Sequence, residues 1–581
     1  MGVTALNAAA ELDLRNIESE VWSELHARHL ASRAGFGANS EEMERLARMS
    51  PKKAVASFYP TGRTKLEPFP HSGIFDEGLD PFPPSRPATT ALAKQQGHAL
   101  GVQVKPAGNR PLQGVVNKFF YWLRASRLET DRVTYWWAEK MLNSQAPLQE
   151  KMALFWHGHF ATNEDKVRDY RKMLVQLQLF RGEGLGDFDE LLHRVAKDPA
   201  MLVFLDAGVN TKDSPNENFA REIMELFTMG VGHYTERDVQ EAARAFTGWN
   251  VDQMQFKVVS ADHDGDEKAF LGERGRFAGE DVIDIIMQRP ATHQHIAAKL
   301  YRYFVNEDLD DADVPQLGRF FAEHDFNIGD YLQGLFLSRD FYQPVNVGSR
   351  IKGPVELVIS TYRQMELADV PGVPDFNVVS GSLGQRLLHP PTVAGWSRGR
   401  SWITPSLLFE RGNFVLDVLF PDIGFVPPDR YPFTGEVVNV QDRLRQGMSI
   451  SAATKPTGVA GAMSASNMLA DRDEDFNTRL GSMRGWQMAI ERVVPIPRDT
   501  VQLSLYSQIT RHELATPEEV VDFWQEQYFS VRLQKSDKAA LANRLREELG
   551  TSDIQSASSY AEEGLRKVLH LMLSLPEYQL G

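Results

Sequence analysis

The sequence predicts a mainly α-helical protein with a multi-helix, bundle-like core, one small β-hairpin and long irregular connections. Three observations carry this prediction. Aromatic and aliphatic residues recur every three or four positions through most of 115–420, the spacing of one helical face. Capping residues and glycines bracket those runs. Strand-like alternation is confined to a single stretch, Gln255 to Phe277.

The elements follow in chain order. Residues 1–59 form an N-terminal segment in which Ile17 to Phe58 reads as two or three short helices, with the glycines of His29 to Gly37 marking a turn between them. Residues 60–114 are rich in proline and glycine and lack periodicity, which describes a long surface excursion. The core segment, 115–420, opens with Phe119, Phe120, Trp122 and Leu123, followed by Tyr135, Trp136, Met141 and Leu142, all at helical spacing. Further helices are expected from Ala146 into Phe155 and over Lys166 to Phe180. Ser214-Pro215 has the cap-then-proline form that opens a helix, here ending at Gly230. Thr235 and Asp238 start the next, which stops at Gly248. In the hairpin, Phe256 and Val258 face Phe270 and Leu271 across the polar turn Asp262 to Asp266. Helices resume from Asp281 to Phe420. Residues 421–479 shift to proline, glycine, alanine and serine, an extended connection, and 480–581 form a C-terminal helical segment.

Composition excludes several functions. A chain of 581 residues exceeds one ordinary core, so two or more packed units are expected. A net charge of -15 disfavours nonspecific nucleic-acid binding, which needs a basic surface. With no cysteine there is no disulfide, thiolate metal site or thiol nucleophile, so any metal must be held by His, Asp or Glu. No apolar run approaches the roughly 20 residues of a membrane span. Met1 to Asn16 lacks the basic and apolar regions of a signal peptide, so the expected compartment as encoded is the cytoplasm. Phosphate-binding loops, dinucleotide fingerprints, nucleophile elbows and the zinc-protease helix motif are all missing.

Four places could carry chemistry. His157 and His159, in Trp156-His157-Gly158-His159-Phe160, lie two apart, which turns them about 200° from each other on a helix. They chelate together only if Gly158 breaks that helix; otherwise they bond backbone carbonyls. On the helix after Pro215, Asn218, Glu222 and Glu225 share a face, whereas Glu217 pairs with Arg221. A carboxylate against apolar neighbours suits a metal ligand or general acid, and the alternative is a buried ion pair with Arg221 or Arg244. His233 follows that helix by one tight turn. At the hairpin tip, Asp262, Asp264 and Asp266 alternate as in a calcium loop, but the glycine stands at the fourth position instead of the sixth; His263 and Asp264 remain secondary candidates. His389, before two prolines, reads as packing, with lining a pocket as the alternative.

The segments His29 to Gly37, Phe155 to Val167, Asn216 to Val239, Ala243 to Trp249, His263 to Gly272, Lys299 to Val305 and His389 to Trp396, in this order, resemble a bacterial family catalogued as domain of unknown function 1800. The resemblance implies a helical fold and no defined activity. Its members are often encoded beside a family similar to sulfatases and alkaline phosphatases, which implies such a protein as a partner. Many members look exported; here, export bound to a signal-bearing partner is the alternative to the cytoplasm.

The leading expectation is a metal-dependent enzyme with a site between helices. His157, His159, Glu217, Glu222, His233 and His263 are the candidate ligands, and Glu222, Glu225 and Asp264 the candidate acid/base groups. Nitrogen and oxygen donors suit zinc, iron or manganese. Hydrolysis of a polymer or esterified sugar, suggested by the neighbouring family, stands beside a di-iron-like oxidation and a metal-free, two-carboxylate glycosidase. The competing class is a non-catalytic helical scaffold for the sulfatase- or phosphatase-like partner.

Overall fold

The structure, a computed structural model, describes residues 12–62, 66–74, 113–421 and 478–581. Most of the expected excursion at 60–114 and connection at 421–479 lies outside these residues. Among the described residues are 23 α-helices and two two-stranded antiparallel sheets, so the fold is mainly α.

The N-terminal segment holds α1 (Glu24–Ala34), α2 (Ser40–Ala47) and α3 (Pro51–Ala56). Asn39 and Glu42 cap α2 reciprocally. The first aromatic run lies on α4 (Gln113–Asn143), a helix of 31 residues. Pro147 then opens α5 (Pro147–His159). The single helix expected over Lys166 to Phe180 is two, α6 (Glu164–Val167) and α7 (Tyr170–Glu183). Arg168 takes a left-handed φ of 54°, and Asp169 caps α7 by accepting from Arg171 N.

After α8 (Phe188–Ala196) and α9 (Pro199–Phe204), the glutamate helix α10 (Asn218–Glu222) continues as a π-helical turn, Ile223–Thr228. It starts later than Ser214-Pro215 predicts, because Ser214 is drawn into a bridge with Thr211. Next, α11 (Glu236–Ala245) carries the expected Thr235–Asp238 capping box. The single hairpin is in fact two: β1 (Trp249–Asp252) pairs with β2 (Gln255–Val258), and β3 (Lys268–Phe270) with β4 (Glu273–Gly275). Each has its own two-residue turn, with positive φ at Gln253 in the first and at Leu271 and Gly272 in the second. Phe256 and Phe270 therefore belong to different sheets.

The remaining helices are α12 (Gly279–Met287), α13 (Pro290–Phe304), α14 (Val314–Glu323), α15 (Ile328–Leu337), α16 (Pro354–Gln364), α17 (Phe376–Ser382), α18 (Pro405–Leu419), α19 (Thr478–Arg492), α20 (Leu505–Arg511), α21 (Pro517–Tyr528), α22 (Lys535–Leu549) and α23 (Ala561–Leu573). The three helical segments share one apolar core that joins Leu30, Phe155, Leu332, Trp524 and Leu569. α19 lies along α4 at close range: a Cβ on Gly485 would collide with the backbone of Phe120 and Tyr121.

One core carboxylate makes stability depend on pH. Asp198 caps α9, with Oδ1 accepting from Met201 N at 2.9 Å and from Gln176 Nε2 at 2.8 Å, whereas Oδ2 has no hydrogen-bond partner. Burial pushes its carboxyl up to about 7. Between the ordinary carboxylate range and pH 7 the folded state keeps a proton that the unfolded state has released, so this contribution to stability is lost as pH rises. Asp198→Asn should match wild type only below about pH 4 and exceed it by about 2–4 kcal/mol at pH 8 in urea unfolding. A variant with no advantage at pH 8 over pH 5 would contradict this.

Candidate functional site

The histidines of α5 face apart, as their spacing dictates. His157 Nε2 accepts from Leu388 N at 2.9 Å, and its ring meets Trp137 and Trp396 edge-on. Burial, together with nearby His389, drives its pKa down to about 3, so it stays neutral. His159 is held on both ring nitrogens: Nε2 lies 3.1 Å from Phe227 O, and Nδ1 3.1 Å from Lys299 Nζ. The partners assign an Nε2–H donor and an Nδ1 acceptor, leaving no lone pair for a metal in this arrangement. Lys299 also donates to Leu226 O, and burial and Arg398 push it down to about 7.

The acids singled out from the sequence are dispersed. Glu217 pairs with Arg221 at 3.0 Å, and Arg221 also reaches Glu236 at 2.7 Å. Glu222 and Glu225 do lie together: burial and the charge of Glu225 raise the Glu222 carboxyl, and Glu225 accepts from the Tyr234 hydroxyl at 3.0 Å. His233 is exposed. His263 Nδ1 lies 3.0 Å from Thr247 O, and Asp264 accepts from Arg244 Nε at 2.7 Å. Asp264 is thus engaged by an arginine, with its carboxyl held below the ordinary range by Arg244 despite the opposing effect of burial. Among the described residues, no three of the expected ligands bring donor atoms within 4.8 Å of one another.

Two other groups do converge to within 4.8 Å. Asp189, His193 and Asp284 form a solvated cluster whose two acids are more than half exposed. Glu164, Asp165 and His389 are different. Glu164 and the His389 side chain are buried, and His389 Nε2 has no hydrogen-bond partner. His389 Nδ1 faces Asp165 Oδ2 at 3.5 Å. Burial and Arg386 push His389 down to about 4, leaving the neutral imidazole that ligates metals. Burial lifts Glu164 to about 7, against the pull of Arg127. Arg127 donates to Asp165 at 2.7 Å.

The sequence builds this cluster from two distant turns. Asn163 caps α6, and its Nδ2 donates to Pro390 O at 2.9 Å. Leu388, at a left-handed φ of 60°, donates its N–H to His157 and accepts at its carbonyl from Glu164 N at 2.9 Å. Gly395, at φ 82°, rests so closely on the carbonyl of Gly158 that no Cβ would fit. His157 is therefore a positioning residue for the His389 loop. Glu164 and Asp165 stand inside a segment that marks the family resemblance, but sequence reasoning passed over them and assigned His389 to packing. The available signal was an unexplained acid pair in one such segment and an unexplained histidine in another.

Glu164 and Asp165 open onto a cleft of about 540 Å³ between α4, α6 and α19, lined also by Phe120, Arg124, Arg127 and Trp486. The Arg124 guanidinium lies 5.7 Å from the centre of the Trp486 ring. Among the described residues, no helix is long and apolar enough to cross a membrane. A family model described as protein of unknown function (DUF1800) matches residues 29–580. No curated protein and no solved structure matches the chain.

Proposed function

The chain belongs to the DUF1800 family of proteins of unknown function, and because that membership carries no activity, we propose one from the site: a divalent-metal-dependent hydrolase in which Glu164, Asp165 and His389 hold the metal. One observation carries the reading. Two carboxylates and a neutral imidazole with a free nitrogen bring their donor atoms within 4.8 Å of one another at the edge of a large cleft. Nitrogen and oxygen donors of this kind suit zinc, iron or manganese. Such a metal, when bound, activates water and polarises the group under attack. Arg127 orients Asp165, and His157 and Asn163 hold the His389 loop in register with Glu164. Arginines beside Trp486 and Phe120 suit an anionic or sugar-bearing ester, since guanidinium recognises anions and aromatic faces stack on apolar sugar faces.

The test is elemental analysis and metal titration of wild type, His389→Ala and Glu164→Gln, with folding checked by circular dichroism. Near-stoichiometric zinc, iron or manganese in wild type, reduced at least tenfold in affinity in both folded variants, is expected. No metal in reconstituted wild type, or equal metal in the variants, would overturn the reading and favour a non-catalytic scaffold for a phosphatase- or sulfatase-like partner.

A further inference from the structure

Arg127 stands beside the Glu164–Asp165–His389 centre, and what it does there rests on the metal reading of that centre. Its guanidinium meets the centre at one point: Nη2 donates to Asp165 Oδ1 at 2.7 Å. A guanidinium has five N–H groups, and among the described residues this is the one hydrogen bond that the Arg127 side chain makes. The side chain is 45% exposed and lines the cleft. Asp165 is divided between two tasks. Its Oδ1 holds Arg127, whereas its Oδ2 lies 3.5 Å from His389 Nδ1, on the side of the other ligands.

Charge decides what the centre still lacks. Besides Asp165 and Arg127, the charged side chains acting on Glu164 are Arg386 and Asp131, which lie 3.6 Å apart and offset each other. As ligands, the ionised Glu164 and Asp165 together match a divalent ion. Arg127 then shares its carboxylate with the metal, and two cations on one carboxylate repel each other. The other charged residues lining the cleft, Arg124 and Arg168, are cationic as well.

We propose that Arg127 receives the anionic group of the substrate beside the metal, that the substrate is an ester of a tetrahedral oxyanion (phosphate or sulfate), and that metal and oxyanion strengthen each other's binding. A carboxylic ester fits less well, because its reacting carbonyl is neutral and leaves the positive charge unanswered. Phosphate and sulfate esters carry charge at the reacting atom, on oxygens that a guanidinium recognises. Hydrolysis forms one P–O or S–O bond to water and breaks the bond to the ester oxygen. One water proton goes to the leaving alcohol, and the other stays on phosphate or passes from sulfate to solvent. Phe120, Leu123 and Trp486 give the alcohol part an apolar wall.

The test is calorimetric titration of inorganic phosphate, and separately of inorganic sulfate, into full-length protein. The protein is used both freed of metal by chelator and loaded with zinc, manganese or ferrous iron. Metal-loaded wild type should bind one of the two anions at least about tenfold more tightly than the metal-free protein does. By reciprocity, that anion should tighten metal binding by the same factor. Arg127→Gln should still load with metal, since all three ligands remain, yet lose the gain in anion affinity; Arg127→Lys should recover part of it. Whichever anion binds more tightly identifies the ester. Anion affinity that is equal with and without metal, or equal in metal-loaded wild type and Arg127→Gln, would overturn the role of Arg127 and leave the metal centre standing. Wild type that loads with none of the three metals would sink the metal reading and this inference with it.

Discussion

Replacing Glu356 by alanine should destabilise the fold by about 3–5 kcal/mol, the range seen when one partner of a buried ion pair is removed. Glu356 is 5% exposed and caps α16 through Gly353 N while neutralising Lys151 and Arg350. Without it, those two cations and Arg33 would share a buried pocket in which Glu307 is left as the opposing charge on Arg33 and Arg350. Glu356→Gln separates the two roles, because an amide oxygen can still accept from Gly353 N but carries no charge. Urea unfolding at pH 7 should therefore place the glutamine variant close to alanine, not to wild type. Although burial acts to raise it, the Glu356 carboxyl is held well below the usual range by Arg350 and Lys151. A depressed carboxylate pKa contributes stability above its unfolded pKa that fades as pH falls, so the gap between wild type and Glu356→Gln should narrow below about pH 4. A loss under about 1 kcal/mol in both variants would show that the cations lean on other groups.

His157→Ala should weaken metal binding at the Glu164–Asp165–His389 centre by about 10–100-fold although His157 touches no ligand position, the usual scale for a group that orients metal ligands. Its Nε2 fixes the Leu388 N–H, and the Leu388 carbonyl in turn fixes Glu164 N. The turn carrying Glu164 and Asp165 and the turn carrying His389 are thus registered through one peptide. His157→Gln offers an oxygen to the same N–H and should recover most of the affinity. Calorimetric titration of zinc or manganese against the three proteins measures this. Equal affinity in folded His157→Ala would confine His157 to packing. The same histidine sets an acid limit: with a folded pKa of about 3 and an unfolded value near 6.5, wild type loses stability as pH falls below 6.5, by about 2 kcal/mol at pH 5. His157→Gln should not show that component.

Local chemistry was sufficient wherever an element depends on its own neighbours. Phe119 and Trp122 mark the buried side of α4, and the Thr235–Asp238 box opens α11, because helical periodicity and capping involve residues only a few positions apart. The same reasoning failed where a distant or positive-φ residue decides. Arg168 splits a helix that its periodicity would continue, Ser214 is taken by a bridge to Thr211, and tight turns at Gln253 and Leu271 divide one hairpin into two.

The candidate centre lies at the far end of that scale. By itself the sequence determined a cysteine-free, acidic, helical chain whose only metal donors are His, Asp and Glu, and it brought Glu222 and Glu225 onto one face. That Asp264 answers to Arg244, that His159 answers to Lys299, and that His389 meets Glu164 were decided only by tertiary structure. The contact that registers the last pair, Leu388 to His157, spans 231 residues. Over that separation no local spacing rule operates, and only the packing of α5 against the Leu388–Gly395 loop brings the donors together.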